Sequence, residues 1–357
     1  MFIFFQPLYL QELGANPVMI GSILGIVGVA MTLAHLPAGY LSDRFGRRPV
    51  LWAAWGTATL AAWVMALARS LPFFVVGATL YGMTAFVSGP MNSYITAARG
   101  RWTVARALTL ISATYNTGAI LGPLLGGWIG QNLGLRWCFG IAGVLFLVST
   151  GIVLFIQSQP VEIAPGDGQG THWAGLLNGR YLTFILVIFI SLYCMYVPQP
   201  LSQNFLQNER GLSLENIGSI ISLRSAGVVF LNLTLGQVNA RYGFLIAQLF
   251  MGGFAFLIWK GNAMPWYLAG YFLMGSFQTA RSLAAAQARA LVKASNMGLA
   301  YGMLETIGGM VIIFGPPLAG ALYSINPNWP YLAGVIGCGI GLVISALFIP
   351  LKPEEID

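Results

Sequence analysis

Eleven apolar runs of about twenty residues make up nearly the whole chain, at roughly 18–38, 49–69, 72–96, 107–130, 137–157, 181–206, 216–238, 243–259, 265–290, 298–324 and 330–350. A shorter apolar piece, Met1–Leu13, precedes them. A run of that length is what a helix needs to cross a bilayer. Lipid offers the backbone no hydrogen bonds, so only helices and closed barrels span it. These runs are too long and too uniformly apolar for barrel strands. The expectation is an all-α membrane protein. Composition agrees: 8% of the residues are charged, 57% are hydrophobic and the mean hydropathy is +0.75, whereas soluble domains carry about 25% charged residues.

Other classes are disfavoured by the same reading. The formal charge of +7 comes from basic residues scattered among short loops, with no aromatic-basic platform for nucleic acid. Cys138, Cys194 and Cys338 lie far apart in apolar segments, which suits buried packing and neither a metal site nor a disulfide framework. Nothing at the N-terminus reads as a cleavable signal. There is no Ser/His/Asp arrangement and no phosphate loop, so neither enzyme chemistry, a cofactor nor ATP hydrolysis within this chain is expected.

The only long polar, Gly/Pro-rich stretch is Gln157–Arg180, which reads as a linker between two helical bundles. The division predicted is 1–157, a linker at 158–180, and 181–357. Basic residues set the orientation. With the turn around Asp43 placed inside, eleven fall on that side: Arg44, Arg47, Arg48, Arg99, Arg101, Arg106, Arg180, Arg241, Arg289, Lys293 and Lys352. Four fall outside: Arg69, Arg136, Arg210 and Lys260. This bias places the linker and the C-terminus in the cytoplasm.

The halves repeat one another. IGSI at Ile20–Ile23 returns at Ile217–Ile220, an offset of 197, and Glu12 and Gly14 match Glu209 and Gly211. The turn Gly39…Arg44-Phe45-Gly46 is matched by Gly236…Arg241-Tyr242-Gly243 at that offset. Farther along the offset is 193: Pro72 with Pro265, Gly82 with Gly275, Gly122-Pro123 with Gly315-Pro316. The mate of the run that begins near Tyr181 would lie before Met1. The expectation is a first helix largely missing, through truncation or a mis-assigned start.

Two motifs give this organisation a family. The stretch GYLSDRFGRR, with Gly39, Asp43, Arg44, Gly46 and Arg47, resembles the signature between the second and third helices of the major facilitator superfamily of secondary transporters. The run Gly118-x3-Gly122-Pro123-x2-Gly126-Gly127 resembles the antiporter motif of its drug:proton exchangers, although Thr109 stands where that motif begins with glycine. Ala78 likewise stands where proton-linked relatives often carry arginine. The resemblance implies two six-helix bundles related by a pseudo-twofold, rocking about a central site. It implies that Asp43 latches the halves against the start of the eleventh helix; a solvated loop acid is the alternative. For the glycine-rich run the alternative is generic small-residue packing.

Charges inside a bilayer are functional candidates, and three are present: Arg224, Arg281 and Glu305. Arg281 and Glu305 lie at matching depths on consecutive antiparallel helices, which predicts a salt bridge, either structural or responsive to protons or substrate. Gln278, Arg281, Ser282 and Arg289 share one helix face. Arg224 reads as a substrate contact or a snorkelling side chain. Asn92, Tyr115, Asn116, Gln203 and Asn204 are weaker candidates, as fit for interhelical hydrogen bonding as for a ligand, and His35 reads as a packing residue, with a proton relay as the alternative. The function expected is proton-coupled export of small, largely apolar compounds by a monomer in the cell membrane. Uptake of a small organic anion or sugar is the second reading, and a non-transporting sensor on the same fold a third.

Overall fold

The structure, a computed structural model, describes residues 2–159, 179–289, 291–292 and 297–349, with the side chains of 36–43, 105 and 297–299 outside that set. Most of the predicted linker therefore lies outside the described residues. A 3-10 turn, Phe2–Phe5, leads into α1 (Gln6–Glu12), α2 (Pro17–Phe45), α3 (Arg47–Leu67), α4 (Leu71–Met83), α5 (Ser88–Ala98), α6 (Val104–Leu133) and α7 (Leu135–Leu154). The second half contains α8 (Gly179–Tyr196), α9 (Ser202–Asn208), α10 (Leu214–Leu235), α11 (Ala240–Lys260), α12 (Met264–Met274), α13 (Ser276–Arg289), α14 (Met297–Ile325) and α15 (Trp329–Phe348).

Among the described residues, nine helical spans are long and apolar enough to cross a membrane. Of the eleven runs read from the sequence, α6 and the α12–α13 pair fall short. Ser112, Thr114, Asn116 and Thr117 dilute the apolar character of α6, and Gly275 divides the other run. Helix starts follow local chemistry. Asn16 accepts a hydrogen bond from the Met19 amide at 2.8 Å, with Pro17 opening α2, and Ser213 caps α10 through the Asn216 amide at 3.2 Å. These side chains satisfy amides that the first turn leaves unpaired.

The two halves are repeats in space. Within the first, α3 packs on α7 and α4; within the second, α11 packs on α15 and α12, their counterparts. Between halves, α2 lies along α14 and α6 along α10. These two seams use equivalent residues. A Cβ on Gly21 would overlap the Pro316 carbonyl oxygen, and one on Gly218 would overlap that of Pro123. Residues 21 and 218 are mates at offset 197, and 123 and 316 are mates at offset 193. Likewise Gly127 meets the Leu214 carbonyl, 2.6 Å from its Cβ position, and Gly320 meets that of Pro17. Exchanging the halves maps each contact onto the other, as a pseudo-twofold requires. At the axis, Gln11 Nε2 donates to Asn208 Oδ1 at 3.0 Å, and Asn208 Nδ2 donates back to Gln11 Oε1 at 3.0 Å, across |i−j| = 197. α1 thus faces its own mate, α9. No helix among residues 2–159 takes the place of α8.

One expectation about the signature stretch needs correcting. Gly39 and Asp43 were read as part of a turn, but α2 remains helical to Phe45 and the reversal is confined to Gly46, at φ 83°. Only glycine adopts that backbone conformation readily. The match at offset 197 also ends earlier than read, because α3 and α11 begin at residues 47 and 240, a difference of 193. α10 stops at Leu235, equivalent to residue 38 (235 − 197), so α2 extends seven residues (45 − 38) beyond its mate. Asp43 sits in that unmatched extension.

Candidate functional site

The seams between halves close one end of the molecule. Along α2–α14 the described close contacts run from Pro17–Gly320 to Thr32–Gly309, where a Cβ on Gly309 would lie 2.9 Å from Thr32 Oγ1. Along α6–α10 they run from Gln131, which accepts the Leu214 amide at 3.0 Å, to Ala119, whose carbonyl accepts Ser225 Oγ at 2.9 Å. Beyond Ala119, toward the Gly46 end, α6 leaves α10: Thr114, Tyr115 and Thr117 are exposed, Tyr115 at 76%. α5 and α13, which reach the same end, share no packed seam among the described residues. The halves meet at the α1/α9 end and part toward the Gly46 end.

Polar side chains collect where they part. Arg281 on α13 and Glu305 on α14 form a salt bridge, Nη2 to Oε2 at 3.0 Å. The depth reading expected this carboxylate to be buried, but Glu305 is 78% exposed while Arg281 is 29% exposed. Among the described residues, Arg281 is the bonded partner of Glu305. Gly308 gives the guanidinium room, since a Cβ there would lie 3.0 Å from its Nη2. Gln278, Arg281, Ser282 and Arg289 form the solvent-accessible stripe of α13, alternating with buried Thr279, Ala280, Leu283, Ala284, Gln287 and Ala288. That is the helical periodicity read from the sequence.

Arg224 lies on α10 just inside the end of its seam with α6. Its guanidinium carbon is 6.0 Å from the centre of the Phe4 ring. The hydroxyls of Tyr271, Tyr196 and Tyr115 are within electrostatic reach. Tyr196 feels the charge of Arg281 as well as that of Arg224. Its ring packs on Phe277 at 5.5 Å and against Gly315. Sequence reasoning missed Tyr196 and Tyr271. They sit amid apolar residues, and only the fold brings them within the field of Arg224.

Other candidates fall elsewhere. Asn116 Nδ2 bonds the Ser112 carbonyl of its own helix at 2.8 Å, and Asn92 is exposed on α5. Gln203 is buried in α9, near Asn204, which reaches the Pro7 carbonyl at 3.1 Å and Gln11 Oε1 at 2.7 Å across the axis. Those two belong to the closed end. His35 is exposed and not packed. In the glycine-rich run of α6, Gly127 lies in the seam, Gly126 accepts Cys138 Sγ at 3.2 Å, and Gly118 stands in open space. Packing thus accounts for one end of that motif and not for Gly118. No group of three or more His, Cys, Asp or Glu suited to a metal occurs among the described residues.

The sequence model of the Major Facilitator Superfamily matches residues 1–243 and 184–357. The chain belongs to the major facilitator superfamily. Its relatives include multidrug resistance protein 2 of Bacillus subtilis, 24% identical over 90% of this chain and 86% of the relative. The class B tetracycline resistance protein of Escherichia coli is 23% identical over 94% of this chain and 87% of its own. Crystal structures of the nucleoside transporter NupG (TM-score 0.77, 14% identity, 94% and 90% covered) and of a bacterial homologue of the human lysosomal transporter Spinster, inward-facing and occupied (TM-score 0.71, 14% identity, 97% and 89% covered), share the fold.

This major facilitator protein is therefore a multi-pass membrane transporter, and its signature residues can be placed on its frame. Arg47 Nη1 bonds the Ser93 carbonyl at 3.4 Å and Gln159 Oε1 at 3.2 Å, tying α3 to α5 and to the chain leaving α7, all within one half. Gln159 Nε2 returns a bond to the Tyr94 carbonyl at 2.9 Å. Arg44 packs over Phe45, its guanidinium carbon 5.5 Å from the ring centre. The Asp43 side chain and the first residues of α14 lie outside the described residues, as does any contact between them.

Proposed function

We propose that the chain is a secondary active transporter that works by alternating access and exports small, largely apolar compounds in exchange for protons. The observation that carries this reading is the Arg281–Glu305 pair at 3.0 Å, facing the space where the halves part, with its carboxylate 78% exposed. A carboxylate there can take a proton from the open side and lose it when closure brings a competing cation or substrate against it. The names of the relatives, multidrug and tetracycline resistance proteins, support export. The excess of basic residues at the Gly46 end supports a cytoplasmic placement of that end, and so an inward-facing conformation. In proteoliposomes with an acidic lumen, the protein should concentrate ethidium in the lumen. No accumulation above protein-free vesicles would overturn exchange with protons.

Asp43 is proposed as a latch for the cytoplasmic end. It lies in the last turn of α2, where an acid opposes the helix dipole at a cost of about 0.3–1 kcal/mol. A partner across the gap in the closed state would offset that cost. Asp43→Asn should therefore raise the population open at this end, because a substitution shifts an equilibrium by its differential effect on two states. Spin labels at Arg99→Cys and Arg289→Cys would report longer distances. An unchanged distribution would make Asp43 an ordinary helix-end charge.

A further inference from the structure

Arg224 is a cation that the fold does not require. Its mate at offset 197 is Val27, and the two backbones do the same work: the Arg224 carbonyl lies 3.1 Å from the Cβ position of Gly275, and the Val27 carbonyl 3.1 Å from that of Gly82. Valine thus serves the repeat as well as arginine does. Arg224 has no carboxylate partner among the described residues, and its Nε is enclosed without a hydrogen bond. An uncompensated cation within a membrane is costly. Its place is also held firmly. Ser222 and Ser225 on either side donate to the Ile120 and Ala119 carbonyls of α6, so α10 cannot turn the guanidinium away.

The surroundings specify a partner. The Phe4 ring, from the first half, lies 6.0 Å from the guanidinium carbon, and the charge also feels Tyr115 of the first half and Tyr196 of the second. Tyr271, by contrast, is fully buried and gives its hydroxyl to Ser202 Oγ at 2.9 Å. Arg281 is already paired with Glu305, and among the described residues Arg224 has no such acid. We propose that Arg224, with Phe4, Tyr115 and Tyr196, binds a planar aromatic monoanion, its acid group on the guanidinium and its ring among these aromatic side chains. This deepens the transport reading and rests on the transport site lying where the halves part. A ligand held by both halves is one whose binding can drive their rocking.

The test uses 2-naphthoate, its neutral isostere 2-naphthamide and the cation 2-naphthylmethylamine, in equilibrium binding to the purified protein in nanodiscs and in counterflow from proteoliposomes. A charge-assisted contact predicts naphthoate binding roughly tenfold or more tighter than the amide. Arg224→Gln should bring acid and amide to equal affinity, Arg224→Lys should keep part of the preference, and Tyr115→Ala, at an exposed ring, should weaken both. Equal wild-type affinity for acid and amide, tighter binding of the cation, no binding of naphthoate, or a preference that survives Arg224→Gln would each overturn the proposal. If ethidium is still carried in that case, the transport reading stands. If naphthoate binds through Arg224 but neither it nor ethidium exchanges, the site stands and the transport reading falls.

Discussion

Glu305→Gln is expected to abolish accumulation against a gradient while leaving substrate exchange at close to the wild-type rate. Glutamine keeps the size and hydrogen-bonding reach of glutamate but cannot exchange a proton. The fold should tolerate the change, because an ion pair with one partner 78% exposed contributes only about 0–1 kcal/mol. A pH difference of one unit is worth about 1.4 kcal/mol per proton, so one-for-one exchange sustains roughly tenfold accumulation. The variant should fall to a ratio near one in pH-driven uptake, with counterflow intact. Accumulation at the wild-type level would show that protons couple elsewhere. Loss of both activities together with folded protein would show that the pair with Arg281 is structural.

Gly218→Leu is expected to disrupt the closed end, and with it both folding yield and transport. Even the Cβ would overlap the Pro123 carbonyl, and a carbonyl held in a helix cannot rotate aside. Overpacking of this kind costs about 1–3 kcal/mol or more. The milder Gly218→Ala and its mate Gly21→Ala should each lower the apparent Tm of the purified protein by several degrees, at about 2–4 °C per kcal/mol. Gly118→Ala provides the contrast: nothing lies near its Cβ position, and alanine favours a helix over glycine by about 1 kcal/mol. Its Tm should hold or rise. Equal losses at Gly118 and Gly218 would show that the seams do not follow the described contacts.

The repeat shows how far linear pattern extends. Gly21 with Gly218 and Pro123 with Pro316 were visible as matched positions, because close helix contacts demand small residues at fixed places and leave a trace in each half. The pattern did not show that the residues of one pair touch those of the other crosswise, Gly21 on Pro316 and Gly218 on Pro123. The Asp43 stretch shows a local limit. GYLSDRFGRR has the polarity of a loop, yet the helix continues to Phe45, because charged side chains at a membrane surface can be solvated from a helix as readily as from a turn.

By itself the sequence determined the membrane class, the run of spanning helices, the two-fold repetition and the family, all carried by hydropathy over about twenty residues and by small-residue motifs within single helices. It also placed Arg281 and Glu305 at a common depth, since rise per residue is constant along a helix. Only the tertiary structure decided that Glu305 is exposed, that Gly127 is packed while Gly118 is free, and that Tyr196 lies within the fields of two arginines. Exposure and convergence depend on how far the halves are rotated apart. That rotation is a relation between two rigid bodies, set by their shared seams, and no single segment of the chain encodes it.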